Sequence, residues 1–192
     1  MTLLILGLIL FLGVHSVRIF ADPWRSAQIA RIGEGPWKGL YALTSIVGFV
    51  LIVWGFGRAR AATLVLWSPP FWTHYVAAVL TLIAFVLVVA AYVPGTRIKS
   101  RLHHPMILGV KIWAFAHLLA NGDLASVLLF GSLLGFAVYD RISVISRPSP
   151  GPIGNAKGRA FYDILAIAVG LGLYALLLFW GHTKLTGVPL LL

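Results

Sequence analysis

Six stretches of the chain, residues 1–20, 36–57, 71–93, 105–120, 124–139 and 160–180, are almost purely apolar. Crossing about 30 Å of hydrocarbon takes about 20 apolar residues in a helix, with a working range of roughly 17–25. Inside a bilayer no water is present to satisfy backbone N–H and C=O groups, so a spanning segment must bond to itself as a helix or close into a barrel. Continuous apolar runs rather than alternating ones select the helix. The prediction is an all-α polytopic membrane protein with about six transmembrane helices, folded as a single domain over residues 1–192. Composition agrees: 60% of residues are hydrophobic and only 10% are charged, against about 25% charged in a soluble domain.

The connectors carry the punctuation. Asp22-Pro23 ends the first run, because the residue before proline disfavours helix. The first run lacks a charged leader and a small-residue cleavage pattern, so a retained helix is expected. Residues 24–35 form a short polar connector, with Trp24 and Trp37 suited to headgroup depth. Pro36 suits a helix start. Asn121-Gly122-Asp123 has the residue types of a tight turn, and residues 140–159 form a loop rich in Pro, Gly and Ser.

The net charge of +10 is a topology signal rather than a nucleic-acid signal. With the N-terminus outside, the inner connectors hold Arg18, Arg25, Arg31, Lys38, Arg97, Lys99, Arg101, Arg141, Arg147, Lys157 and Arg159, eleven in all, and the outer ones hold Arg58, Arg60 and Lys184, three in all. Lys and Arg accumulate on the cytoplasmic side, so both termini are expected on the outer, periplasmic side of a bacterial inner membrane. No aromatic–basic motif of a nucleic-acid binder is present. The absence of cysteine removes disulfide, thiolate and iron–sulfur chemistry. Patterns of the GxSxG, HExxH, GxGxxG and P-loop kinds are missing, and no carboxylate pair lies within a span.

Chemistry must therefore come from histidines and cations. His15 lies five residues before the end of the first run, roughly 8–10 Å inside the membrane. Arg18 follows three residues on and shares its face. His117 follows Pro105 by twelve residues, about 18 Å along the fourth helix, among Trp113, Phe115 and Leu118. An imidazole in such surroundings needs a partner at each ring nitrogen. A metal or haem iron is one such partner, and a backbone carbonyl or a serine is the other kind. His104 precedes Pro105 and is expected at the helix cap. Arg97, Lys99 and Arg101 read either as inner-side topology charges or as a clamp for carboxylates or phosphates. Lys111 lies seven residues after His104, on a similar face and about 120° from His117, and is read as snorkelling to the inner surface. His74 and His182 sit at span ends and receive no role.

The sequence H-H-P-M-I-L-G-V-K-I-W-A-F-A-H-L-L-A-N-G-D of residues 103–123 resembles the core motif of the NnrU family of bacterial membrane proteins. The G-V-H-S-V-R around His15 fits the same family, as do the six runs, so the resemblance covers nearly the whole chain. It implies a role in denitrification, in the handling of nitrite and nitric oxide. The family is similar to the zeta-carotene isomerase, a membrane protein that binds haem b. That likeness implies His15 and His117 as iron ligands. Arg97, Lys99 and Arg101 are then candidates for the propionates, with Arg18 beside the first ligand. The isomerase's cysteine near its second ligand falls at Ala114, so ligand exchange through it is unavailable here. A displaced helix start would make His15 and His104 the better pair.

A more distant likeness links H-P-M-x-x-G to the R-H-P-x-x-x-G motif of isoprenylcysteine and phospholipid methyltransferases and of sterol reductases. It implies S-adenosylmethionine or a nicotinamide cofactor held by His104 and the inner arginines. His103 stands where those enzymes have the arginine. Membrane lipids, haem and a redox or respiratory partner protein are the expected partners, with no nucleic acid. A non-catalytic helper for the assembly of a respiratory enzyme is a third class.

Overall fold

A computed structural model describes residues 1–146 and 158–186. The inner-side cations Arg147 and Lys157 lie outside the described residues. The helices are α1 (Thr2–Phe20), α2 (Asp22–Ile32), α3 (Glu34–Arg60), α4 (Trp72–Tyr92), α5 (Arg97–Leu102), α6 (Pro105–Ala120), α7 (Leu124–Ser146), α8 (Ala160–Leu176) and α9 (His182–Thr186). A π-helical turn, Leu177–Gly181, joins α8 to α9. Five helical segments are long and apolar enough to span a membrane, and α6 is a sixth, shorter apolar helix. The chain is thus an all-helical membrane protein with about six spans.

Several elements exceed their expected bounds. The connector after the first run is the helix α2, with Pro23 in its first turn and Trp24 packed edge to face on Trp37 at 5.8 Å. Arg97–Leu102 is a helix rather than a loop. Its cap is Thr96, whose hydroxyl accepts the Lys99 N–H at 3.0 Å, a standard way to satisfy a free N-terminal donor. The fifth span runs on through Asp140 to Ser146. Its continuation alternates apolar and polar residues at helical spacing, which a hydropathy boundary cuts short.

Loop contacts sort the helix ends into two groups. At one end the Val65–Asp123 bridge ties the α3–α4 loop to the α6–α7 turn, with Leu66 N donating to Gly122 O at 2.8 Å and Leu124 N to Leu64 O at 2.9 Å. At the other end Arg159 N donates to Gly95 O at 2.9 Å, and Asp163 accepts the Ile98 N–H at 3.2 Å. Six alternating crossings place these pairs on opposite faces, here called outer and inner.

Helix contacts trace an open ring in the order α3, α1, α7, α6, α4, α8. Among the described residues the backbone of α3 does not closely approach α4, α6 or α8. Among the described residues the ring is closed at the outer end, where α9 reaches α3. The tightest contact is α1 on α3: a Cβ at Gly7 would stand 2.6 Å from Ile52 N, and one at Gly48 would stand 2.8 Å from Phe11 N. Small residues let transmembrane backbones approach where burial from lipid gives little driving force. Leu4, Leu8, Ile52, Ala114, Ala125 and Phe130 fill the adjoining core.

Candidate functional site: a histidine-lined central cavity

The ring encloses a cavity of about 2100 Å³, well above the roughly 300–1,000 Å³ of an ordinary small-molecule site. On α6 it is lined by Met106, Ile107, Val110, Trp113, His117, Ala120 and Asn121, a stripe at helical spacing. His15, Arg18, Arg25, Lys38, Tyr41 and Asp140 line its inner half by their place on α1, α2, α3 and α7, while Arg60, His74, Tyr75 and His182 line its outer half.

His15 and His117 are held in the same way. Nδ1 of His15 bonds Phe11 O at 2.7 Å, and Nδ1 of His117 bonds Trp113 O at 2.8 Å. A carbonyl only accepts, so each Nδ1 carries the proton and each Nε2 keeps its lone pair. Among the described residues no second hydrogen bond reaches either ring. Both rings lean toward the N-terminus of their own helix, as helical side chains do. Because α1 and α6 cross in opposite senses, the two rings lean toward each other in depth.

Aromatic neighbours fix both imidazoles. His15 sits 4.2 Å from Phe11, 5.2 Å from Tyr41 and 6.2 Å from Phe136. His117 sits 4.9 Å from Trp113 and 4.5 Å from Phe130. Phe130 and Phe136 are six residues apart, about 9 Å along α7. The imidazoles therefore occupy successive levels of one cavity.

Cations cluster at the inner mouth. Arg25 bonds Asp22 at 3.2 Å and Lys38 bonds Glu34 at 2.8 Å. Arg18 has no acidic partner among the described residues. The other cations expected at a site point elsewhere. Arg97 Nε donates to Gly158 O at 3.2 Å, and Lys99 Nζ donates to Ala91 O at 3.0 Å. Neither they, Arg101 nor Lys111 line the cavity. The N-terminal cap of α6 is His104, as its place before proline predicts, and it lines the cavity. Lys111, read as snorkelling, thus lies off the cavity wall that His104 joins. Among the described residues no group of three or more His, Asp or Glu is placed to hold a bare metal ion.

The chain matches the family described as NnrU protein over residues 3–190. It belongs to the NnrU family. No curated protein and no solved structure gives a match. In this NnrU chain the α6 wall of the cavity runs from Met106 to Ala120, with Asn121 at its C-terminal cap.

Sequence reading missed two histidines of that cavity. His74 and His182 lie at span ends, where position alone suggests an interfacial role. The signal for His182 was its register with Tyr174 and Leu178, at steps of four along one helix face, all three lining the cavity. His182 is also within electrostatic range of His117. The π-helical turn just before it is a kind of irregularity that often marks functional positions.

Proposed function

We propose that this NnrU protein binds haem b in the central cavity, where Nε2 of His15 and of His117 would hold the iron. The observation that carries the reading is the matched pair of imidazoles. Both hold their Nδ1 proton on a backbone carbonyl, which leaves the Nε2 lone pair for a ligand, and both residues line one cavity. Metal-ligating histidines almost always donate their other ring N–H to a carbonyl or carboxylate, which fixes tautomer and orientation.

The walls suit an aromatic macrocycle: Phe11, Tyr41 and Phe136 contact the His15 ring, and Trp113 and Phe130 contact the His117 ring. Arg18 is the cation best placed for a propionate, since it lines the cavity three residues after His15. Arg97 and Arg101 lose that role in this proposal, because they face away. When bound, haem of this kind supplies one-electron chemistry, which fits a redox or nitrogen-oxide role in the inner membrane of a denitrifying bacterium. The chain's own part is to exclude water, fix two lone pairs and neutralise the propionate charge.

The test is the visible spectrum of the purified protein. The expected result is a Soret band of low-spin haem, lost stepwise in His15→Ala, His117→Ala and the double variant. His103→Ala, which leaves the cavity lining untouched, keeps the parent spectrum. Arg18→Ala holds haem more weakly, whereas Arg97→Ala holds it as the parent does. A parent protein that stays colourless when supplied with haem overturns the proposal. Binding of S-adenosylmethionine by that colourless protein would then support the methyltransferase-like class, and co-purification with a reductase would support the helper class.

A further inference from the structure

We propose that the outer half of the cavity binds the ring of a membrane quinone, which enters from the bilayer between α3 and α8 and leaves its tail in that gap. The path follows from the helix order. Among the described residues the backbones of α3 and α8 stay apart, and α9 bridges them at the outer end. Below that bridge the gap lies between two segments long and apolar enough to span a membrane, so it would open on hydrocarbon. Val50 and Trp54 on α3 line the cavity and are 54% and 55% exposed, and Leu178 lines it from the π-helical turn after α8. A lipid-dissolved molecule reaches the interior directly through such a gap, whereas a water-soluble one must pass a charged mouth.

The outer walls select a flat ring over an acyl chain. Phe71 meets Tyr75 edge to face at 5.4 Å, and Phe56 meets Phe130 edge to face at 6.0 Å. Aromatic rings favour planar partners in offset or edge geometry. The polar groups match both redox states of a quinone. Tyr75 has a hydroxyl that can donate to a quinone carbonyl. Nδ1–H of His74 is committed to Phe71 O at 3.2 Å, so its Nε2 can accept from a quinol hydroxyl. His74 and Tyr75 are the third and fourth residues of α4, about 3–5 Å below the helix start. That is the depth at which the polar head of a lipid-soluble ring rests with its chain in hydrocarbon. A phospholipid keeps its charged head outside this level.

The site shares the Phe130 wall with the haem reading, but its hydrogen-bonding groups, His74 and Tyr75, are not among the proposed haem ligands. The probe is decylubiquinone added to the purified chain in lipid nanodiscs, followed by quenching of tryptophan fluorescence; Trp54 and Trp113 line the cavity. The same titration is run on the His15→Ala/His117→Ala double variant, so a failed haem assignment leaves this result intact. Saturable quenching is expected in both proteins. Tyr75→Phe removes one hydrogen bond and weakens binding by roughly threefold to tenfold. Val50→Trp fills the gap from α3 and abolishes saturable quenching, with Leu178→Trp as a second plug from the other side. Circular dichroism confirms that each variant is folded. Quenching that rises linearly without saturation overturns the proposal. So does saturation unchanged in folded Tyr75→Phe and both plugged variants. Cross-linking between copies through residues of the gap also overturns it, because a second chain would then cover the entrance.

Discussion

Replacing Gly7 by alanine tests the packing that sets the position of α1. An added Cβ would stand 2.6 Å from Ile52 N and 2.9 Å from Gly48 O and Leu51 C. Ordinary contact begins near 3.4 Å, so one helix must retreat by about 0.8 Å, the difference between 3.4 and 2.6 Å. The obstructing atoms are backbone and cannot rotate away. Overpacking of this kind costs about 1–3 kcal/mol. Alanine also gains up to about 1 kcal/mol over glycine in helix propensity, which would hide part of the effect. Gly13→Ala, on the same helix with nothing within 4 Å of the added carbon, carries the same propensity gain without the clash. The difference between the two variants isolates the contact and should be about 1–3 kcal/mol, or roughly fivefold to 150-fold in the unfolding equilibrium. The assay is reversible unfolding in mixed micelles by SDS titration, read by circular dichroism. Equal stability of the two variants, or a more stable Gly7→Ala, would refute close backbone contact between α1 and α3.

Asp123 accepts both the backbone N–H and the hydroxyl of Ser126 at the start of α7, so Asp123→Ala should lower stability by about 0.5–2 kcal/mol in the same titration. Reporter fusions after Asp123 and after Lys184 should both report the outer side, and one after Ser146 the inner side; the reverse pattern would invert the orientation while keeping the crossings. Lys111→Met should leave both stability and haem content within error of the parent, because the lysine does not line the cavity, and a loss of haem would show that its charge has a partner there.

The histidine site was only half legible in the sequence. His15 and His117 stand out because ionisable groups inside apolar runs are costly, and the family likeness falls on both. The basic run Arg97–Lys99–Arg101 looked equally suited to anion binding, but its charges are spent on the carbonyls of Gly158 and Ala91 or turned outward. Local charge density cannot distinguish these cases, because a carbonyl 61 residues away is invisible until the chain is folded. Arg25 and Lys38 were the opposite case: bland topology charges by position, yet cavity-lining in the fold.

What the sequence determined alone is the set of segments and their number. Hydrocarbon solvates no backbone group, so a continuous apolar run of sufficient length satisfies itself as a helix, and the punctuation by Pro23, Pro36 and Pro105 is local; residues 121–123, expected as a tight turn, instead run extended at Asn121 and pair Asp123 with Val65. Only the tertiary structure decided the order of helices around the ring and the gap between α3 and α8. Inside a membrane every apolar face is equally soluble in lipid, so hydropathy does not say which faces meet. That choice falls to close contacts such as Gly7 on Ile52 and to hydrogen bonds between distant loops, such as Leu124 to Leu64. Their partners are far apart in the chain, and the cavity exists because those contacts leave α3 and α8 apart.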